Sequence, residues 1–408
     1  MASVIDSIKA YFAKEQTRRT RQKKTIELVR QAESFTRNDI GAWRRAWMYA
    51  ANIDNPDRRK LLDIYRDSMA DNHLSGCIEQ RTNMALAKSF KLVDAGGKPV
   101  GDATELLNAP WFKDFLRLSL ESIYWGHSLI ELGNPVDCNG KLEYDSVTLI
   151  NRKHVIPEYG RVIKTEGDVW QSGIDYRNDP VYTPWLIEVG KPTDLGLLLK
   201  VSQQCISKRN ILAFWDTFAE IFGMPLRIAK ITSRDDNDKA LAEDSLRKMG
   251  AAGYGVLSTD TDIEIVEAAK GDTYNVYDRR IDRANSEISK AIIGQTMTIE
   301  DGSSLSQSQT HLTVFNNIVE SDCDMLRDVI NCQLLPRMAR HGFPVDELRF
   351  EWDYAIDYTP EQQIAYEQML LNNFEIDPKY FIEKYGVPVG ERRQMGGMMS
   401  KPYDGFFL

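Results

Sequence analysis

The sequence predicts an α+β fold that is mainly helical, and three observations carry that prediction. Apolar residues recur at helical spacing through several long stretches. Short strand-like stretches, separated by Gly, Asn, Asp and Pro, concentrate in 140–200 and 226–272. The chain has 408 residues, 42 % hydrophobic and 27 % charged. That length buries a sizeable core, split over two or more domains.

Residues 8–30 carry Lys9, Lys14, Arg18, Arg19, Arg21, Lys23, Lys24 and Arg30 against Glu15 and Glu27. This arm reads as a helix or tail with a solvated face; the alternative is docking on an acidic partner or on nucleic acid. No apolar stretch follows the basic start, so no secretory signal is expected. No apolar run is long enough to cross a bilayer, and a soluble chain is expected.

Residues 57–92 read as helical through Leu61, Leu62, Ile64, Tyr65, Met69, Leu74, Ile78, Met84 and Leu86. AGGKPVGD at 95–102 reads as a turn. A helix over 111–131 uses Phe112, Phe115, Leu118, Ile123 and Leu129. Four short strands follow, LEYDSVTLI, RVIKTEG, DVWQSGI and TPWLIEV. A helix at 206–222 carries Ile211, Phe214, Trp215, Phe218, Ile221 and Phe222, stopped by Gly223 and Pro225. Next comes a compact α/β insert: strand LRIAKI, a charged helix at 236–249, then strands YGVLS and IEIVEA. Residues 233–267 hold nine acidic side chains against four basic ones. Helices are expected at 274–293 and 312–335, the second ended by Pro336, then a strand at 348–352 and helices at 360–374 and 378–385.

Several chemistries find no motif. The formal charge of −9 argues against a duplex-DNA binder, which needs a basic face. GAAGYG at 250–255 has the wrong order and flanks for a phosphate loop, and reads as a helix-to-strand turn. His73, His127, His154, His311 and His341 are scattered without metal-ligand spacing, and no GxSxG elbow occurs. His127, in WGHSL, is expected on an apolar helix as a core or interface residue. Cys77, Cys138, Cys205, Cys323 and Cys332 contain no CxxC pair and are expected as reduced, buried thiols. Trp43, Trp47, Trp111, Trp125 and Trp215 fit core or subunit packing. The pairs Asp235/Asp236 and Asp260/Asp262 read as an exposed acidic surface, with a divalent-ion site as the alternative. No cofactor, no metal and no catalytic residue is expected.

One stretch stands apart. Between Lys290 and Arg327 there is no Lys or Arg, and GQTMTIEDGSSLSQSQTH at 294–311 is rich in Ser and Gln. NSEISKAIIGQTMTIEDGSSLSQSQTH, followed by a long helix, resembles the portal proteins of tailed bacteriophages, in particular the Mu-type family. DNHLSGCIEQRTNMALAKSFKL (71–92), WDTFAEIFGMPLRIAKI (215–231) and FEIDPKYFIEKYGVP (374–388) are similar to segments of the same family in the same order. The resemblance covers about 60–400.

The resemblance implies the portal fold of wing, stem, clip, channel loop and crown. On this chain it places an N-terminal arm and wing at 1–204, a first stem helix at 205–225 and a clip at 226–272. A second stem helix at 273–293, a channel loop at 294–311, a long wing helix at 312–338 and a crown region at 339–408 complete it. It implies a ring, typically of twelve copies, at one vertex of the virion capsid, made in the host bacterial cytoplasm. The implied partners are major capsid and scaffold proteins, the terminase large subunit, a head–tail adaptor and double-stranded DNA passing non-specifically; no membrane and no enzymatic activity are implied. Gln295, Thr298, Glu300, Asp301, Ser303, Ser304, Gln307 and Gln309 would line the channel, where a loop without cations gives phosphate no counterion-release gain. Gly294 and Gly302 would let that loop shift. Arg279, Arg280, Arg283 and Lys290 would be stem charges, pairing with Asp278, Asp282 or Glu287 of a neighbouring subunit or facing DNA. Asp235, Asp236, Asp260 and Asp262 would dock partners at the clip. The alternatives are a metal-dependent nuclease or nucleotide-utilising enzyme built on Asp260 and Asp262, and a different minor capsid protein.

Overall fold

The computed structural model describes Ile26, Leu28 and residues 39–138, 140–222, 227–231, 236–248, 254–258, 273–295, 305–353, 360–374 and 376–386. The chain divides into two compact units, residues 1–353 and 354–408. The basic arm at 8–30 lies outside the described residues apart from Ile26 and Leu28.

The first unit opens with helix α1 (Ile40–Ala50), whose Asp39 side chain caps Ala42 N–H and whose Trp43, Ala46 and Ala50 are buried. Helices α2 (Arg59–Ser68) and α3 (Asn72–Leu86) replace the single helical stretch expected over 57–92. Asp71 causes the break: its carboxylate accepts from the N–H groups of His73 and Leu74, starting a new helix. Strand β1 (Phe90–Val93) follows, and the turn expected at 95–102 is shortened by helix α4 (Gly101–Leu107).

Helix α5 (Pro110–Trp125) begins with Pro110 in its first turn and ends at Gly126, φ 88°. The expected helix to 131 is therefore wrong: residues 127–132 form strand β2. Gly126 has to be glycine, because a Cβ there would overlap the Asp194 carbonyl. β2 (His127–Leu132) is the centre of an antiparallel sheet, flanked by β5 (Val147–Leu149) and β9 (Leu186–Gly190). β3 (Pro135–Cys138) and β4 (Lys141–Tyr144) form a hairpin, and β6 (Val155–Ile156), β7 (Arg161–Val162) and β8 (Ile174–Asp175) a small meander. Ile26 is buried with Leu129, Ile150, Val155, Val162, Tyr176 and Leu186 in a satellite cluster.

Helix α6 (Leu198–Phe222) starts eight residues before the expected 206. Its apolar spacing continues back through Cys205, Val201 and Leu198, all buried, and no Gly or Pro interrupts it after Gly196. Strands β10 (Arg227–Ile231) and β11 (Tyr254–Ser258) pair in parallel around helix α7 (Asp236–Lys248), a βαβ unit. The strand expected at IEIVEA lies outside the described residues. Helix α8 (Thr273–Ile293) and helix α9 (Leu305–Val329) come next.

Pro336 does not end the following helix. A five-residue π turn, Ile330–Leu334, precedes α10 (Leu335–Arg340), and Pro336 sits in the first turn of α10, where its missing N–H is harmless. The π turn directs two side-chain amides at two sheets. Asn331 bonds both backbone groups of Phe350 (3.0 and 2.7 Å), and Gln333 bonds both of Glu188 (3.3 and 2.7 Å). Phe350 belongs to β12 (Arg349–Trp352), which pairs antiparallel with β1, Phe90 opposite Trp352. Around that pairing the main core is aromatic: Phe90 lies 5.2 Å from Phe112 and 5.5 Å from Phe350, and Tyr144 lies 5.0 Å from Trp111.

The second unit contains α11 (Pro360–Asn373) and α12 (Pro378–Tyr385). Asp377 caps α12, Gly386 ends it at φ 66°, and Lys384 pairs with Glu367 at 2.9 Å.

Candidate functional site

The segment singled out by its lack of cations joins α8 to α9. α8 packs along α6, and the contacts run antiparallel: Tyr277 stacks on Trp215 (6.4 Å between centroids), while Arg280 donates to Ser207 Oγ (3.0 Å) and Gln204 Oε1 (3.3 Å), closer to the start of α6. Farther along α8, Ala284, Ile288, Ile292 and Ile293 are buried. His73 on α3 bonds Ser289 Oγ at 2.7 Å.

The charges on α8 find partners within the chain. Arg283 and Lys290 both pair with Glu287, at 3.1 and 3.3 Å, at the i,i+4 and i,i+3 spacings that bring side chains together on one helix face. Arg280 is taken up by α6. Intersubunit pairing is thus not required to account for these three; Arg279 is exposed.

At the end of α8, Gly294 adopts φ 76° and lies against α9: a Cβ there would sit 2.6 Å from Ile318 Cδ1 and 3.4 Å from Val314 Cγ1. In the structure Gly294 is thus a left-handed helix cap held in contact with a neighbour. Gln295 is buried, and neither its amide nitrogen nor its amide oxygen has a hydrogen-bond partner among the described residues. Thr298, Glu300, Asp301, Ser303 and Ser304, with Gly302, lie outside the described residues. Gln307 and Gln309 do not lie on a loop: α9 begins at Leu305, so 305–311 is helical. No Gly or Pro occurs from 303 to 335, so nothing local halts the helix before that point.

Two residues that sequence reasoning missed lie at this joint. Arg81 of α3 forms a bidentate pair with Asp322 of α9, Nε to Oδ2 at 2.7 Å and Nη2 to Oδ1 at 2.8 Å. Its Nη1 donates to the Ile292 carbonyl at 2.7 Å, in the last turn of α8. Both side chains are under one-tenth exposed. The guanidinium is held above its ordinary pKa: burial works against its charge, but the Asp322 carboxylate outweighs it. A signal existed in the sequence. Arg81 falls within the buried face Leu74, Cys77, Ile78, Thr82, Ala85, and Asp322 within Phe315, Val319, Cys323, Leu326. A charge inside the apolar stripe of a helix calls for a buried partner. A cleft of about 940 Å3 borders the joint, lined by Arg81, Ile123, Leu197, Ala291, Ile318 and Met325 among others.

A second polar cluster lies at β9. The Glu188 carboxylate accepts from His127 Nε2 (2.9 Å), Tyr176 Oη (2.8 Å) and Arg177 (2.6 and 2.8 Å). Burial would raise its pKa, but the bonds from Arg177, His127 and Tyr176 together hold it at about 2. His127 is lowered, because burial outweighs Glu188. His127 is therefore a satisfied core residue, as expected, but on strand β2 and not on a helix.

Asp236 opens α7, fully solvated, with Lys239 at 3.1 Å; Asp235, Asp260 and Asp262 lie outside the described residues. Among the described residues no group of three His, Cys, Asp or Glu could hold a metal ion, and no helix is long and apolar enough to cross a membrane. Cys77, Cys205 and Cys323 are buried thiols, whereas Cys138 and Cys332 are exposed, against the expectation of burial. Trp43 and Trp111 are core residues, and Trp47 is 43 % exposed.

The family model described as "Portal protein of Mu bacteriophage" matches residues 62–387. No curated protein matches this chain in sequence. Among solved structures, an HK97 family phage portal protein from Corynebacterium diphtheriae is similar, with 14 % identity, 76 % of this chain and 98 % of that chain covered, and a TM-score of 0.39. The neck of an empty GTA particle, computed with C6 symmetry, is similar with 12 % identity, 81 % and 94 % coverage and a TM-score of 0.47.

Proposed function

The chain belongs to the portal protein family of Mu bacteriophage, and from that membership we propose that it forms a closed ring at one capsid vertex, the passage for genome packaging and ejection. The family match over most of the chain carries this reading. Twelve copies, heterologous contacts between neighbours, and docking first to the terminase large subunit and then to a head–tail adaptor are the finer parts of the proposal. In this reading α6 and α8 form the stem, the βαβ unit within 226–272 is the clip, and 294–311 lines the channel. The role is structural and not catalytic.

The chemistry of 294–311 supports this reading. A cation in the lining would release counterions from every phosphate it met, and a ring would repeat that gain once per subunit. Ser and Gln offer neutral hydrogen bonds that water replaces. The start of α9 at Leu305 adds a partial positive charge from the helix dipole, and Asp301 and Glu300, four and five residues ahead in sequence, carry the opposite sign.

Mass photometry with negative-stain imaging of the purified chain tests the proposal. A ring of twelve 46.7 kDa subunits has a mass of about 560 kDa. Monomer alone in every buffer, with no ring in any image, overturns the portal reading.

A further inference from the structure

Arg81 occupies a place that helix packing would fill with an apolar side chain. It sits on the buried face of α3 and spends its fork on two other helices: the Asp322 carboxylate of α9 and the Ile292 carbonyl of α8. The last carbonyls of a helix have no partner inside it, so Arg81 is an end cap for α8 as well as one half of an ion pair. Two residues beyond Ile292, Gly294 touches Ile318, one turn before Asp322 on α9. The end of α8 is thus pinned to α9 at two points four residues apart.

Those points set the geometry of the connection. From Val314, which faces Gly294, the helix runs nine more residues back to Leu305, about 14 Å at 1.5 Å per residue. Residues 296–304 connect the two helices in sequence, so moving the end of α8 along α9 moves the point from which that segment leaves α8. Gln295 is buried at this root with its amide unpartnered among the described residues, an arrangement that costs free energy and needs the neighbouring contacts to hold it. The bordering cleft of about 940 Å3 leaves room for the last turn of α8 to move if released.

We infer that Arg81 is a positioning residue: by joining Ile292 to Asp322 it fixes the root of the 296–304 segment against α9. The functional weight of this inference rests on the reading of that segment as channel lining; the mechanical part does not.

Hydrogen exchange of the purified, full-length protein tests it. Arg81→Met alone strands Asp322 in the interior and risks misfolding, so the diagnostic variant is Arg81→Met with Asp322→Leu. Apolar replacement of a buried pair is often neutral or stabilising, so its thermal midpoint is expected to stay at or above the wild-type value. Its amides at 293–295 are expected to exchange on the order of tenfold faster, while those of β2 do not change. Arg81→Lys keeps a cation but not the fork, and is expected to fall between the two. Wild-type exchange at 293–295 in the double variant overturns the inference, as does equal acceleration in β2, which would mean general loosening. A double variant with fast exchange at 293–295 that nevertheless fills phage heads at the wild-type rate upholds the positioning and removes the channel-lining reading.

Discussion

Replacing Gly294 with alanine strains the α8–α9 joint by an amount the structure allows to be worked out. An L-residue held at φ 76° costs about 1–2 kcal/mol relative to glycine. A stiffer unfolded chain returns roughly 0.4–1 kcal/mol. The new Cβ would lie 2.6 Å from Ile318 Cδ1, and turning that side chain off its rotamer costs about 0.5–1.5 kcal/mol. Gly97 is an internal control: it has φ 80° with nothing within 4 Å of its Cβ position, so it carries the first two terms and not the third. Gly294→Ala should therefore destabilise by about 1 kcal/mol more than Gly97→Ala. Urea denaturation at one fixed protein concentration measures both. Ile318→Val removes the Cδ1 and should recover most of the difference in the Gly294→Ala background, a non-additivity of about 1 kcal/mol. Equal destabilisation by the two alanines, or strict additivity with Ile318→Val, refutes the account of Gly294 as a packed cap.

Three further outcomes are expected. Glu188→Gln breaks the bonds of a carboxylate whose pKa is held at about 2 against an ordinary 4.5. That depressed value contributes on the order of 3 kcal/mol, fully present above the ordinary pKa and lost as pH falls toward 2. The variant should lose that stability at neutral pH and show a flatter thermal midpoint below pH 4.5. Asn331→Ala leaves both backbone groups of Phe350 without their partners and should cost about 1–3 kcal/mol in denaturation. Ser303→Arg with Gln307→Arg should leave ring assembly intact and slow DNA packaging, more so at low salt; an unchanged packaging velocity removes the low-friction reading of the lining but not the family assignment.

Much of the fold was legible from apolar spacing. The helices α5, α6 and α8 were each found within a residue or two at one end, α9 was found but six to seven residues out at both ends, and the βαβ unit was read in order. The misses have local physical causes. Gly126 ends α5 six residues early because the close approach of Asp194 demands glycine, and nothing in HSLIEL betrays that a sheet waits for it. Pro336 marks a helix start because the π turn before it supplies the break. Arg81 and Asp322 were each visible as a charge inside an apolar stripe, but 241 residues separate them, and no single-sequence pattern pairs two such charges. The segment 294–311 was singled out by composition; the helical state of its last seven residues was not, because Gln favours a helix while Ser, Thr and His favour it less, so the local preference is mixed.

The pairing of β1 with β12 has a consequence during synthesis. Phe90–Val93 meets no strand partner among the described residues until Arg349–Trp352 has left the ribosome, some 256 residues later. At roughly 5–20 residues per second that delay is about 13–50 s. For that time the nascent first unit carries an unzipped edge and a half-built aromatic cluster, a period in which chaperone capture competes with premature association between neighbouring chains.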